Sequence, residues 1–188
     1  MDYAKVYKHP EEFKSGVRVL KLVSRNKDNA VKAKNRVLIS SCPSEFDSCL
    51  SELVSQMQYG QRVYASVDER NPHKAVRIFK QRQLDNDYHL DVFSFYHNAK
   101  SVWASCLEDP SASFTKQFLF DLDTLDEQVA FWDFLNNGTN LIDIRFKYQT
   151  KSGGYHVITN PFNHTLLPVI LADTRKTNAS LLWAYDLR

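Results

Sequence analysis

Hydrophobic and polar positions along the chain sort into short segments, most clearly from residue 36 onward. Val37-Leu-Ile-Ser is a brief apolar run that reads as a strand. Beyond Pro43, the residues Phe46, Leu50, Leu53, Val54 and Met57 recur at helical spacing and predict a helix over residues 43–59. Pro near its start and Gly60 just past its end are the usual helix punctuation. Arg62-Val-Tyr-Ala-Ser-Val reads as a second strand. Asn71-Pro opens another helix, Asn as cap and Pro in the first turn, which carries Ala75, Val76 and Phe79 and ends near Gln83. Residues 36–83 thus read as strand–helix–strand–helix, and residues 91–106 as further helix. Upstream, Val17-Arg-Val-Leu-Lys-Leu-Val fits a strand or part of a helix, because a short apolar run does not decide between them.

Glu108-Asp-Pro-Ser-Ala-Ser is polar, contains Pro and reads as a linker. The clearest stretch follows it. Gln117-Phe-Leu-Phe-Asp-Leu-Asp is a strand, and residues 125–135 a helix anchored by Val129, Trp132, Phe134 and Leu135. Residues 140–149 form a strand alternating Ile142, Ile144, Phe146 and Tyr148, and Lys151-Ser-Gly-Gly is a turn. Tyr155-His-Val-Ile-Thr is a strand, residues 164–171 a short helix, and Leu181-Leu-Trp-Ala-Tyr-Asp-Leu the last strand. The order β-α-β-β-α-β is the split βαβ, or ferredoxin-like, unit: a four-stranded antiparallel sheet with two helices on one face. In that topology the first and third strands are central, and the fourth lies beside the first.

Composition narrows the class without naming a function. A chain of 188 residues, 43% hydrophobic and 24% charged, is sized and mixed for a soluble domain with a real core, not for bulk disorder. No apolar run approaches a membrane span and no signal-type segment opens the chain, so no membrane partner is expected. Cys42, Cys49 and Cys106 are odd in number and fit no CxxC pattern, which points to a reducing cytoplasm. A net charge of +2 does not by itself imply nucleic acid. Its distribution adds a little: ten Lys or Arg lie between Lys5 and Arg36, and Arg145, Lys147 and Lys151 form a second cluster that would attract phosphate.

Three acids and a histidine carry the chemistry. Alternate residues of a strand share a face, so Asp121 and Asp123 point together while Phe118, Phe120 and Leu122 point to the helices. Carboxylates roughly 7 Å apart along a strand repel, and a divalent cation relieves this; oxygen ligands suit Mg²⁺ or Mn²⁺. Asp186, an acid in an apolar strand, needs a partner, and its strand neighbours the first. The three carboxylates can then converge on a two-metal phosphoryl-transfer site. His156 lies on the third strand, after Lys151-Ser152-Gly153-Gly154, whose glycines let backbone N–H groups approach a phosphate that Lys and Ser can also contact. Asp173 is a rival third acid, but its surroundings read as a helix end.

These motifs resemble the archaeo-eukaryotic primase, or primase-polymerase, superfamily over roughly residues 36–188. The family's acid–apolar–acid strand is here Asp121-Leu-Asp123; its Ser/Gly turn leading to His is Ser152-Gly-Gly-Tyr-His156; its apolar strand with one acid is Trp183-Ala-Tyr-Asp186. The resemblance implies an α+β fold with an N-terminal α/β module packed on an RRM-like four-stranded antiparallel sheet. Residues 1–110 would hold the basic segment and module, and residues 111–188 the catalytic sub-domain, together one compact core. It further implies that Asp121, Asp123 and Asp186 bind two Mg²⁺ or Mn²⁺ ions, and that Lys151, Ser152, Gly153, Gly154 and His156 meet a nucleoside triphosphate. Arg70 is a candidate phosphate or template contact, and Arg77 and Lys80 weaker ones. With no zinc-binding insertion or appended helicase in view, the expectation is a stripped core from a virus or mobile element. It would work in the host cytoplasm on single-stranded or primed nucleic acid, with a helicase or other replication proteins as partners. The rival readings are a non-catalytic single-strand-binding module and an interaction (inhibitor) protein on the same fold.

Overall fold

A computed structural model describes residues 16–24, 36–58, 61–88, 92–114, 116–137, 142–150 and 153–176. The chain is α+β with two antiparallel sheets, and it clusters into two compact units, one built on residues 1–115 and the other on Lys116–Ala179. Among the described residues no helix is long and apolar enough to cross a membrane.

In the first unit β1 (Arg18–Ser24) is the middle strand of three, flanked by β2 (Arg36–Ser40) and β3 (Gln61–Ala65) in the order β2-β1-β3. The segment that could have been strand or helix is therefore the centre of a sheet. Its alternation feeds two layers. Leu20 and Leu22 pack with Phe46, Leu50 and Leu53 of α1 (Pro43–Ser55), while Val19 packs with Ala75, Cys106 and Leu107 on the other side. Those last residues belong to α2 (Pro72–Tyr88) and α4 (Ala99–Glu108), the latter preceded by the short α3 (Val92–His97).

Helix α1 stops before the predicted residue 59. The Gln61 side chain accepts the Gln58 N–H at 2.8 Å, and the Gln61 N–H donates to the Gln58 carbonyl at 3.0 Å, so Gln58 bonds forward to Gln61 and not back into the helix. Helix α2 begins as predicted, Asn71 Oδ1 accepting the N–H groups of His73 at 2.9 Å and Lys74 at 3.2 Å. It runs past Gln83 because no Gly or Pro follows, and Gln81 pairs with Asp85 one turn on at 3.0 Å. The single helix read at 91–106 is two, parted at Asn98.

The expected linker at 108–113 is not one. Pro110–Ala112 form a 3₁₀ turn capped by Asp109; Ala112 and Ser113 are buried, and the Ala112 carbonyl accepts the Asn71 N–H at 2.7 Å. The segment is packed wall, and the division between units falls after it, at Thr115.

The second unit holds β4 (Phe118–Leu122), α5 (Leu125–Asn137), β5 (Ile144–Gln149), β6 (Tyr155–Thr159) and β7 (Arg175–Lys176). Its sheet runs β5-β6-β4-β7, every neighbouring pair antiparallel. A reciprocal capping box starts α5: the Thr124 N–H donates to Glu127 Oε2 at 2.8 Å, and the Glu127 N–H to Thr124 Oγ1 at 3.3 Å. Phe120 and Leu122 of β4 and Val157 of β6 meet Phe131 of α5 in the core, with Phe120 and Phe131 centroids 4.9 Å apart. The helix predicted at 164–171 does not form. Pro168 has no N–H to give and holds Leu167 extended (φ −64°, ψ 138°), leaving two 3₁₀ turns, His164–Leu166 and Val169–Leu171. The edge beside β4 is held by Arg175–Lys176, and the strand expected at 181–187 lies outside the described residues.

Candidate functional site

β4 turns Phe118, Phe120 and Leu122 toward α5, so Leu119 and Asp121 take its other face. Antiparallel register sets Asp121 opposite His156 on β6, and His156 opposite Tyr148 on β5. A register shift between Ile144 and Phe146 makes this row possible. Ile144 packs into the core with Phe131, whereas Phe146 and Tyr148 share the face of His156.

A continuous polar row results. His156 Nε2 lies 2.8 Å from Asp121 Oδ1, the two side chains being 25% and 26% exposed. The Tyr148 hydroxyl engages His156 Nδ1, and the two rings meet edge to face at 4.9 Å. Lys176 Nζ on β7 stands 3.8 Å from Asp121 Oδ2. With both ring nitrogens engaged, the consistent neutral tautomer has the proton on Nε2 donated to Asp121, and Nδ1 accepting from the phenol. The Asp121 carboxyl is held below the usual carboxylate range, chiefly by the His156 hydrogen bond, against the opposing cost of burial and with help from the Lys176 charge.

The hairpin between β5 and β6 closes beside the end of β4. The Thr150 N–H donates to the Gly154 carbonyl at 2.8 Å and the Gly153 N–H to the Thr150 carbonyl at 3.1 Å. Gly153 takes a positive φ of 88°. Gly154 lies so close to β4 that a Cβ there would come within 2.7 Å of the Leu122 carbonyl oxygen and 3.2 Å of Asp123 Cα. Gln128 of α5 fastens the same corner, its amide 3.4 Å from both the Leu122 and Gly153 carbonyls. Asp123, exposed just past the strand end, therefore sits beside the glycine turn.

The other predicted residues fare differently. Lys151, Ser152 and Asp186 lie outside the described residues. Arg70 is 2% exposed in the first unit, its guanidinium donating to Ser113 Oγ at 3.0 Å and the Asp109 carbonyl at 3.4 Å. That burial gives it a packing role and leaves no open face for a phosphate. Arg77 and Lys80 are exposed on α2. In the second basic cluster, Lys147 reaches over the Trp132 ring at 4.8 Å, on the α5 side of the sheet and away from Asp121. Arg145 pairs with Asp143 at 3.1 Å. Asp173 is exposed in the turn before β7.

Sequence reasoning missed Tyr148, Lys176 and Gln128 as parts of this corner. Tyr148 had a usable signal, since a hairpin centred on residue 152 pairs 148 with 156. Lys176 had none, because its strand is two residues long. Among the described residues no group of three His, Cys, Asp or Glu could hold a metal ion. The oxygen donors at this corner are two carboxylates two residues apart in sequence: Asp121, already engaged by His156 and Lys176, and Asp123, exposed past the strand end. Such a set suits a hard cation that keeps waters and shares substrate phosphates. Comparison with family models, with curated proteins and with solved structures finds no match for the chain.

Proposed function

We propose that the chain is a metal-dependent nucleotidyltransferase of primase-polymerase type, built on an RRM-like sheet. The observation that carries this reading is the pairing of Asp121, from the acid–apolar–acid strand, with His156, from the glycine hairpin, at 2.8 Å on adjacent strands. The order β5-β6-β4 is also that of the second, third and first strands of a split βαβ unit, which supports the reading.

In this reading Asp121 and Asp123, with Asp186, hold the metal, and their oxygen-only chemistry fits it. Bound Mg²⁺ or Mn²⁺ supplies positive charge to the phosphoryl oxygens and acidifies the attacking hydroxyl. The chain itself would orient the triphosphate: the Gly153–Gly154 turn with Lys151 and Ser152 would line its approach, and His156 would donate to a phosphate oxygen. A 3′-hydroxyl of a nucleic acid, or the hydroxyl of a first nucleotide, attacks the α-phosphorus. The new O–P bond forms, the α–β bridging bond breaks, pyrophosphate leaves and the hydroxyl proton passes to water. The test is nucleotide incorporation by the wild type beside Asp121→Ala/Asp123→Ala.

A second reading draws on a specific observation: Phe146 and Tyr148 share the face of the sheet that carries His156. RRM-like sheets hold single strands by stacking bases on aromatics of that face. Metal-independent single-strand binding that falls with Phe146→Ala, in a protein that incorporates no nucleotide, selects this reading.

A further inference from the structure

His156 poses a conflict. To meet a triphosphate it needs a ring nitrogen to offer, yet Nε2 faces Asp121 Oδ1 at 2.8 Å and Nδ1 faces the Tyr148 hydroxyl. One contact must open. The two are not equivalent. Tyr148 sits on β5, at the sheet edge, and brings no charge that a cation would neutralise. Asp121 is an anion on β4, two residues from Asp123, which is exposed beside the glycine turn where cation and phosphate would gather. A cation on Asp121 draws off the charge that makes it a strong acceptor and brings phosphate oxygens as competing acceptors. Lys176, 3.8 Å from the other oxygen and half exposed, yields readily.

We infer that Tyr148 is a positioning residue of this site: its hydroxyl fixes His156 with the proton on Nε2, Asp121 caps that proton in the metal-free protein, and cation binding hands it to the triphosphate. The inference rests on the proposed metal-dependent function. It assigns Tyr148 a task that hydrophobic packing would not require. A Phe in its place keeps the ring but leaves Nδ1 without its donor, so once a cation has taken Asp121 the imidazole is free to carry its proton on either nitrogen. It also gives the site an order, with metal before triphosphate, because without metal the triphosphate meets two carboxylates and a histidine whose donor is already occupied.

The experiment is long-range ¹H–¹⁵N correlation spectroscopy of the histidine rings in the full chain, with His156 assigned by the loss of its signals in His156→Gln. It is titrated with Mg²⁺ alone and then with Mg²⁺ and inorganic tripolyphosphate. The expected starting point is a single tautomer with a hydrogen-bonded Nε2–H. Mg²⁺ shifts the amides around Asp121 and Asp123 and weakens that hydrogen bond, and tripolyphosphate restores one while Nδ1 keeps its shift. In Tyr148→Phe the tautomers mix once Mg²⁺ is bound, and tripolyphosphate binds roughly two- to tenfold more weakly, the worth of about one hydrogen bond, at unchanged Mg²⁺ affinity. If Mg²⁺ moves the Asp121 and Asp123 amides but neither addition changes the ring, the hand-over is wrong and the metal site stands. A tautomer unaltered in Mg²⁺-bound Tyr148→Phe overturns the role of Tyr148. If neither addition moves those amides, the metal reading fails and takes the inference with it.

Discussion

Asp121 and His156 face each other across β4 and β6 with Nε2 and Oδ1 2.8 Å apart, each side chain about three-quarters shielded from water. The contact joins two sequence segments that were read separately, and it leaves a trace in stability. The folded-state pKa of Asp121 is lowered. Its contribution is therefore fully present above the unfolded value of about 3.9 and is lost as pH falls through the lower folded value. Denaturant unfolding in EDTA should show the wild type losing stability more steeply below about pH 4 than Asp121→Asn. Parallel curves for the two proteins would remove the contact from the account.

Under the proposed function Lys176 would compete with the cation for Asp121. Its ammonium is half exposed and 3.8 Å from Oδ2, so the pair is worth only about 0.2–1 kcal/mol. Lys176→Met should then bind Mn²⁺ up to roughly fivefold more tightly, as read by titration calorimetry. Weaker binding would mean that Lys176 helps to hold the cation site open.

The two glycines of the hairpin should fail for different reasons. Gly154→Ala drives a Cβ to 2.7 Å from a backbone oxygen and should cost about 1–3 kcal/mol. Gly153→Ala has open space around it but a φ of 88°, so its cost, about 1–2 kcal/mol, is conformational. Gly153→Asn should be milder than Gly153→Ala, because Asn tolerates positive φ better. Chemical denaturation of the three variants separates the causes; equal losses for Gly153→Asn and Gly153→Ala would contradict the backbone explanation.

Phe120 and Val169 calibrate the second unit. Phe120 is fully buried between Phe131 and Phe162, and Phe120→Ala should cost about 3–5 kcal/mol. Val169 is 92% exposed, and Val169→Ala should stay within about 0.5 kcal/mol of wild type. A large effect at Val169 in the same denaturation assay would show that its turn is covered in solution.

The site was legible where polar residues and turn formers punctuate an apolar run. Asp121 and Asp123 close the apolar Phe118-Leu-Phe segment two residues apart, and the Tyr155-to-Thr159 strand is bounded by glycine and Asn160-Pro, so their assignment needed no tertiary knowledge. β1 was not legible in this way. Helices cover both of its faces, so Val19, Leu20 and Leu22 are all buried and period two is blurred. Pro168 was visible at 164–171, but the apolar residues around it imitated a helix face. Arg70 beside a helix start looked like a phosphate contact; only the fold reveals that Ser113 and Asp109 close over it. The relation of Tyr148 to His156 required the register, and the register required the turn centre.

The most direct test of the central claim is incorporation of labelled nucleotides on primed and unprimed single strands, with Mg²⁺ and with Mn²⁺. Wild type would be measured beside an Asp121→Ala/Asp123→Ala variant whose circular dichroism matches it. The account predicts incorporation by the wild type and a loss of roughly two orders of magnitude or more in the variant, since a metal-held phosphoryl group is worth several kcal/mol. Wild type inert with every nucleotide, metal and strand, or a folded variant as active as wild type, would contradict it.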